Sequence, residues 1–165
     1  MLRQLTLDEI SQHIQNDPVR PHISAEFRNS NGRQVWGLFE DQYAVAHEPR
    51  QDPLAVICVA YTNAIPTNEM ELDWFSSASG TGAVDTDTAV FYTVWSYDPG
   101  AGRALVNQLA EQIKQEQVQI KRWVTLSPLT QMAERFHTRN GAIKRSTHDT
   151  CQVFDYTQQI TEATA

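Results

Sequence analysis

A strongly β-prone run from Ala89 to Tyr97 breaks into Asp98-Pro99-Gly100-Ala101-Gly102-Arg103 and passes at once into a helical pattern. Glycines at 100 and 102 put no side chain between a ligand and the backbone. The first free N–H groups of a helix starting there would face an anion, so the segment can cradle a pyrophosphate. The same spelling also serves an ordinary strand-to-helix turn in which glycine answers only to geometry, and a short Gly-x-Gly does not separate the two. Further along, Thr125 and Ser127 stand two apart at the end of a run from Ile120 to Leu126, and strand alternation puts both hydroxyls on one face. His137 follows on a helix from Pro128 to about Arg139, roughly 100° around from the apolar stripe Leu129, Met132, Ala133 and Phe136, which is expected to be buried. With an ordinary pKa near 6.5, such an imidazole is either an acid–base group facing a cleft or a half-buried histidine bonded locally. The end of a strand and the helix after it are where open α/β sheets hold their ligands.

The elements that must position these groups follow from periodicity. Thr6 or Asp8 can cap a helix running to about Asn16, with Leu7, Ile10 and Ile14 on one face, and Asp17-Pro18 ends it. Three short strands, Ile23 to Phe27, Val35 to Glu40 and Tyr43 to His47, read as an antiparallel meander split by Asn31-Gly32 and Glu40-Asp41. Pro53 to Tyr61 is apolar almost without break, as a central strand buried on both faces would be. Ser76 to Asp87 is rich in Ser, Gly, Thr and Asp and reads as a surface loop. A helix from about Gly102 to Gln117 places Leu105, Leu109 and Ile113 on one face, and a final strand pair covers Ile143 to Arg145 and Gln152 to Tyr156. The fold class expected is α/β with a mixed sheet: antiparallel strands first, then a βαβα unit. Residues 1–165 are expected to form one domain with a loose tail from about 158.

A formal net charge of -7 argues against binding the phosphate backbone of nucleic acid, which requires a basic face. Two cysteines, Cys58 and Cys151, make no disulfide framework or zinc motif, so no metal is expected. No run approaches the ~18 apolar residues of a membrane span, and the first residues carry no signal-peptide pattern, so a cytoplasmic location without membrane partners is expected. His47-Glu48 and His148-Asp149 are isolated dipeptides in turn sequence and read as solvated. Trp36, Trp74, Trp95 and Trp123 read as core or cleft-wall aromatics.

Ala133, Phe136 and Gly141-Ala142 stand in the order that GNAT acyltransferases show as Ala-x-x-Phe-Tyr-x-x-x-Gly-hydrophobic, with His137 in the place of the tyrosine. The chain resembles that superfamily. More narrowly, Pro53 to Thr62, Ile65-Pro66, Asp87 to Tyr92, Val124-Thr125-Leu126-Ser127-Pro128 and Arg135-Phe136-His137-Thr138-Arg139-Asn140-Gly141-Ala142 are similar, in order, to segments of malonyl-CoA decarboxylases. A related decarboxylating domain occurs in loading modules of some polyketide synthases. The chain departs from the family after Ser127-Pro128, where Leu129-Thr130-Gln131-Met132 replaces Ile-Pro-Gly-Phe and the path to His137 is shorter.

The resemblance implies a GNAT-like fold and decarboxylation of malonyl-CoA, or of a malonyl thioester on an acyl carrier protein, without metal or redox cofactor. It puts a catalytic hydroxyl at Thr125, with Ser127 as the alternative, and the catalytic histidine at His137. Coenzyme A is then expected along Val94, Trp95 and Ser96 at the strand end and along Gly100, Ala101, Gly102 and Arg103 in the loop. Two other functions fit the same pattern: a GNAT acyltransferase acting on an amine or thiol, and an acyl-CoA-binding domain without chemistry.

Overall fold

The computed structural model describes residues 1–43, 46–48 and 50–163. Strand β1 (Leu2–Gln4) leads to helix α1 (Leu7–His13), extended by a 3₁₀ turn at Ile14–Asn16. Thr6 caps α1 in a reciprocal box: its hydroxyl receives the Glu9 N–H, and the Glu9 carboxylate receives the Thr6 N–H at 2.8 Å. Then come α2 (Ala25–Arg28), β2 (Arg33–Leu38), β3 (Ala55–Thr62), α3 (Glu69–Gly80), β4 (Thr88–Ser96) and α4 (Ala101–Glu116). The chain closes with β5 (Arg122–Thr125), β6 (Ser127–Pro128), α5 (Gln131–Arg139), β7 (Ile143–Thr147), β8 (Cys151–Asp155) and α6 (Thr157–Glu162). Among the described residues no helix is long and apolar enough to cross a membrane.

All eight strands join one sheet in the order β1-β2-β3-β4-β5-β8-β6, with β7 on β8. The first four are antiparallel neighbours, and β4 runs parallel to β5 with α4 as the crossover. Every residue of β3 is buried, as its unbroken apolar run requires of a strand covered on both faces. One face packs Ile57, Val59, Phe91, Trp123, Phe154 and Tyr156 under α4 and α6. The other packs Val56, Cys58, Val90, Tyr92, Val124 and Val153 under the N-terminal helices and α3.

Four expectations are corrected. Ile23 to Phe27 is not a strand: Ser24 accepts the Phe27 N–H and caps α2, and the apolar residues there turn toward the core as a helical face. The supposed strand at 43–47 falls partly outside the described residues, and Tyr43, Ala46 and His47 lie in turns and bends. Of the stretch from Ser76 to Asp87 read as loop, Ser76 to Gly80 is the end of α3, and Thr81 to Asp87 is the loop expected. The small residues of that helix end permit a close approach: a Cβ on Gly80 would lie 2.4 Å from the Asn31 carbonyl carbon, and one on Gly32, at φ +80°, would lie 2.3 Å from the Ser76 oxygen. Arg33 ties the same contact down through Ser76 and Asp73. Finally, residues 158–162 are not part of a loose tail, since α6 buries Ile160 and its carbonyl takes the Lys114 ammonium at 2.6 Å; residues 164 and 165 lie outside the described residues.

Candidate active site in the gap between two parallel strands

The pairing of β4 with β5 runs only from Thr88–Arg122 to Phe91–Thr125, closed by Leu126 N–H to the Phe91 carbonyl at 3.1 Å. Beyond that point β4 continues to Ser96, whereas the other chain turns away and pairs Ser127 and Pro128 with Gln152 and Cys151 of β8. A bulge opposite Cys58 and Val59 adds Tyr92 as an extra residue where the strands part. The result is a wedge-shaped gap in an otherwise continuous sheet, with α4 starting at one rim.

Thr125 and Ser127 stand at the apex of the gap, both buried, with their hydroxyl oxygens 2.8 Å apart. Thr125 Oγ1 receives the Phe154 N–H at 3.2 Å. When Thr125 in turn donates to Ser127, the Ser127 proton is left for a third partner. The Gln152 amide fixes the turn below by donating to the carbonyls of Pro128 and Thr130 at 2.8 and 3.2 Å.

His137 is buried at 6% exposure. Its ring stacks on Phe154 with centroids 5.1 Å apart and planes 27° off parallel, and meets Phe136 edge-on at 5.1 Å. Nδ1 lies 2.8 Å from the Tyr156 hydroxyl. Burial lowers the histidine pKa to about 4, so the ring is neutral at pH 7. Burial also raises the Tyr156 phenol above its ordinary value, against an opposing effect of the Asn140 amide and the Arg103 charge. The hydroxyl therefore stays protonated, and when it donates to Nδ1 the imidazole carries its own proton on Nε2. Asn140 is buried, and its Nδ2 has no hydrogen-bond acceptor among the described residues.

His137 is thus not at the margin of a buried stripe, as its helix suggested. It is the one residue of α5 that is buried, while Leu129 and Met132 are 47% and 81% exposed and Ala133 and Phe136 are half-buried. Leu129 and Met132 are turned to solvent, while Phe136 packs against the core under α4. His137 and the hydroxyl pair are brought together through Phe154, which gives its ring to one and its N–H to the other.

The glycine loop occupies the rim. Gly100 adopts φ 78° and precedes α4 without a side-chain cap. The Ala101 and Gly102 N–H groups are already taken, by the Asp98 carbonyl at 3.2 Å and by Ser96 Oγ at 3.0 Å. They fix the turn and are not free for a phosphate. A Cβ at Gly102 would come 2.9 Å from that serine oxygen and 3.7 Å from the Phe136 ring. This is where loop and α5 touch. Arg103 is exposed beside the turn, and Val94 points to the α4 face. Trp95 does not join them: it is buried on the opposite face, with Nε1 donating to the Tyr97 hydroxyl at 3.1 Å and Arg28 5.9 Å from its ring.

Tyr156 and Asn140 belong to the site and were not singled out from sequence. Alternation along β8 could have placed Tyr156 on the side of Phe154, and Asn140 sits inside the segment that carries His137. Of the four tryptophans, Trp74 is 62% exposed and walls nothing. His47 bonds to the Glu48 carbonyl and His148 to Ser146, so both pairs stay local. Among the described residues no three metal-ligating groups converge.

Three solved structures illustrate the likeness. Malonyl-CoA decarboxylase from Agrobacterium vitis matches at TM-score 0.63 and 23% identity over 82% of this chain and 35% of its own. The enzyme from Rhodopseudomonas palustris matches at 0.56 and 25%, over 84% and 33%. This chain therefore spans about a third of the length of those enzymes. Arabidopsis thaliana NAA60 in complex with acetyl-CoA matches at 0.63 and 16% over 94% of this chain and 97% of its own, which establishes the GNAT-like fold. No curated protein matches the sequence. The model of the malonyl-CoA decarboxylase C-terminal domain matches residues 27–162, a span that holds the parted strands, both hydroxyls and His137, and the chain belongs to that family.

Proposed function

We propose that this chain removes CO₂ from a malonyl thioester, carried by coenzyme A or by an acyl carrier protein, and releases the acetyl thioester. The observation that carries the reading is the convergence of a buried hydroxyl pair and a buried neutral histidine on Phe154 at the apex of the gap. In this reading pantetheine lies along the unpaired edge of β4 from Tyr92 to Ser96, against α5, with its phosphates toward Gly100 and Arg103.

Breaking the bond to the carboxylate leaves its electron pair on the α-carbon, delocalised as an enolate onto the thioester oxygen. A donor aimed at that oxygen stabilises charge only as it develops. Thr125 and Ser127 supply it: the Phe154 N–H polarises Thr125, which donates to Ser127, and Ser127 donates to the substrate. The proton for the α-carbon comes from Nε2 of His137 while Tyr156 donates to Nδ1, and solvent restores it after CO₂ departs. An imidazole that is neutral at rest suits this order of events, since an imidazolium beside the carboxylate would stabilise the substrate before reaction.

Incubation with malonyl-CoA, followed by mass spectrometry of acetyl-CoA, tests the proposal. Turnover is expected in the native protein, with losses of about 10²-fold or more in His137→Ala and in Thr125→Ala/Ser127→Ala. Bound malonyl-CoA that is never converted would sink it.

One observation favours a second reading. The fold is shared with NAA60 in complex with acetyl-CoA, at TM-score 0.63 over 94% of this chain. An acyltransferase on this fold would consume acetyl-CoA when given an amine or thiol and leave malonyl-CoA intact.

A further inference from the structure

Where β4 leaves β5, the back of the gap is filled by a guanidinium. Arg20 Nη1 donates to the carbonyl of Tyr92, the bulge residue, and Nη2 lies 3.8 Å from Cys151 Sγ on β8. Cys151 pairs with Pro128, and its neighbour Gln152 pairs with Ser127. Arg20 therefore bridges the parted strands within one residue of the hydroxyl pair. It does so on the face of Tyr92 and Cys151, opposite the face of Phe154 and Tyr156 that carries His137.

The charges around it are not balanced at equal depth. The Arg20 side chain is 3% exposed, but its carboxylate partner Glu69 is 41% exposed and reaches only Nε, at 2.9 Å. The buried carboxylate nearby, Asp17, is committed elsewhere: Oδ2 pairs with Arg28 at 2.8 Å, and Oδ1 receives the Val19 and Arg20 N–H groups and the Thr93 hydroxyl. Among the described residues the Nη edge of Arg20 thus meets only a neutral carbonyl and a thiol sulfur. Its N–H groups there form the fork that a carboxylate fits. A buried cation facing neutral acceptors is costly unless an anion arrives.

We propose that Arg20 is the floor of the gap and binds the carboxylate of the acyl group, so that the domain selects thioesters whose acyl chain ends in a carboxylate over plain acyl thioesters. This rests on the decarboxylase reading of the same gap. A malonyl group entering from the α4 face would place its thioester beside Ser127 and its carboxylate, two carbons on, toward the guanidinium. Loss of CO₂ removes the anion, and the acetyl product leaves without that anchor.

The test is the ratio of malonyl-CoA to acetyl-CoA affinity, measured by calorimetry in a His137→Ala background that prevents turnover. Arg20→Gln should lower the ratio about tenfold by weakening malonyl-CoA alone. Because Arg20→Gln can unfold the buried cluster, Glu69→Gln supplies a second arm at a half-exposed position. It removes the neutralising charge and should raise the ratio about two- to fivefold. An unchanged ratio in Glu69→Gln, with Arg20→Gln either unchanged or unfolded, overturns the role of Arg20. If wild-type protein then still converts malonyl-CoA, the decarboxylase reading survives without it; if neither thioester binds, both fall.

Discussion

His137 and Phe154 form the joint of the candidate site: the imidazole stacks on the phenyl ring, centroids 5.1 Å apart and planes 27° off parallel, and the backbone N–H of that same phenylalanine donates to Thr125 Oγ1. One residue of β8 therefore holds both His137 and Thr125, the two halves of the proposed chemistry. Replacing Phe154 by Leu keeps the strand and its N–H but removes the flat platform. The expected cost is about 1–2 kcal/mol of stability, seen in urea unfolding, with a larger loss in kcat than in KM because the ring of His137 loses its orientation. Equal losses in both constants would argue that Phe154 matters only as core.

Tyr156→Phe removes one oxygen and leaves Nδ1 of His137 buried without its partner. The penalty for an unsatisfied buried group is about 1–3 kcal/mol. If the phenol fixes the tautomer that puts the proton on Nε2, kcat should fall about tenfold or more while malonyl-CoA affinity is kept, and nitrogen NMR of His137 should show a mixture of tautomers.

The depressed pKa of His137 makes a statement about stability and pH. In the unfolded chain the imidazole binds a proton near pH 6.5, and in the native fold only near pH 4. Between those values the unfolded state holds more protons, so stability is full above about pH 6.5, declines as pH falls toward 4, and is flat below. The decline attributable to this residue is about 3 kcal/mol. It should vanish in His137→Gln when urea midpoints are compared at pH 7 and pH 4.5. A histidine that stays neutral also leaves kcat/KM without an inflection near pH 6.5.

The residues proposed to carry the chemistry stand out in the sequence because they lie in short, contiguous segments. Two hydroxyls at even spacing must share a strand face, and Gly100 precedes a helix whose stripe at 105, 109 and 113 is unambiguous. The central strand, β3, announced itself by composition. What escaped was fixed by contacts distant in sequence. The second half of α3 looks like loop because its serines and glycines serve a backbone-to-backbone contact with Asn31 and Gly32 that local patterning does not register. The exposure of Leu129 and Met132 escaped for the opposite reason: periodicity finds an apolar face but not whether the protein or a ligand covers it. Tyr156 reaches His137 from the residue after β8, Arg20 reaches the Tyr92 carbonyl from the turn after Asp17, and no motif marks either.

Asp17 and Arg28 give the strongest stability prediction. Their side chains are fully buried and 2.8 Å apart, and further guanidinium N–H groups go to the Ile23 and Arg20 carbonyls and to Cys58 Sγ. Burial raises the Cys58 thiol to about 11 even with Arg28 beside it, so Asp17 supplies the neutralising charge. Asp17→Asn keeps the shape but strands the arginine cation, and a loss of about 3–5 kcal/mol is expected. That is a large share of the roughly 5–15 kcal/mol that holds an ordinary domain together. Asp17→Asn/Arg28→Met removes both charges and should recover a substantial part of the loss in urea unfolding. If the double variant is no more stable than the single one, the carbonyls capped by Arg28, and not its charge pairing, are what the fold depends on at this point.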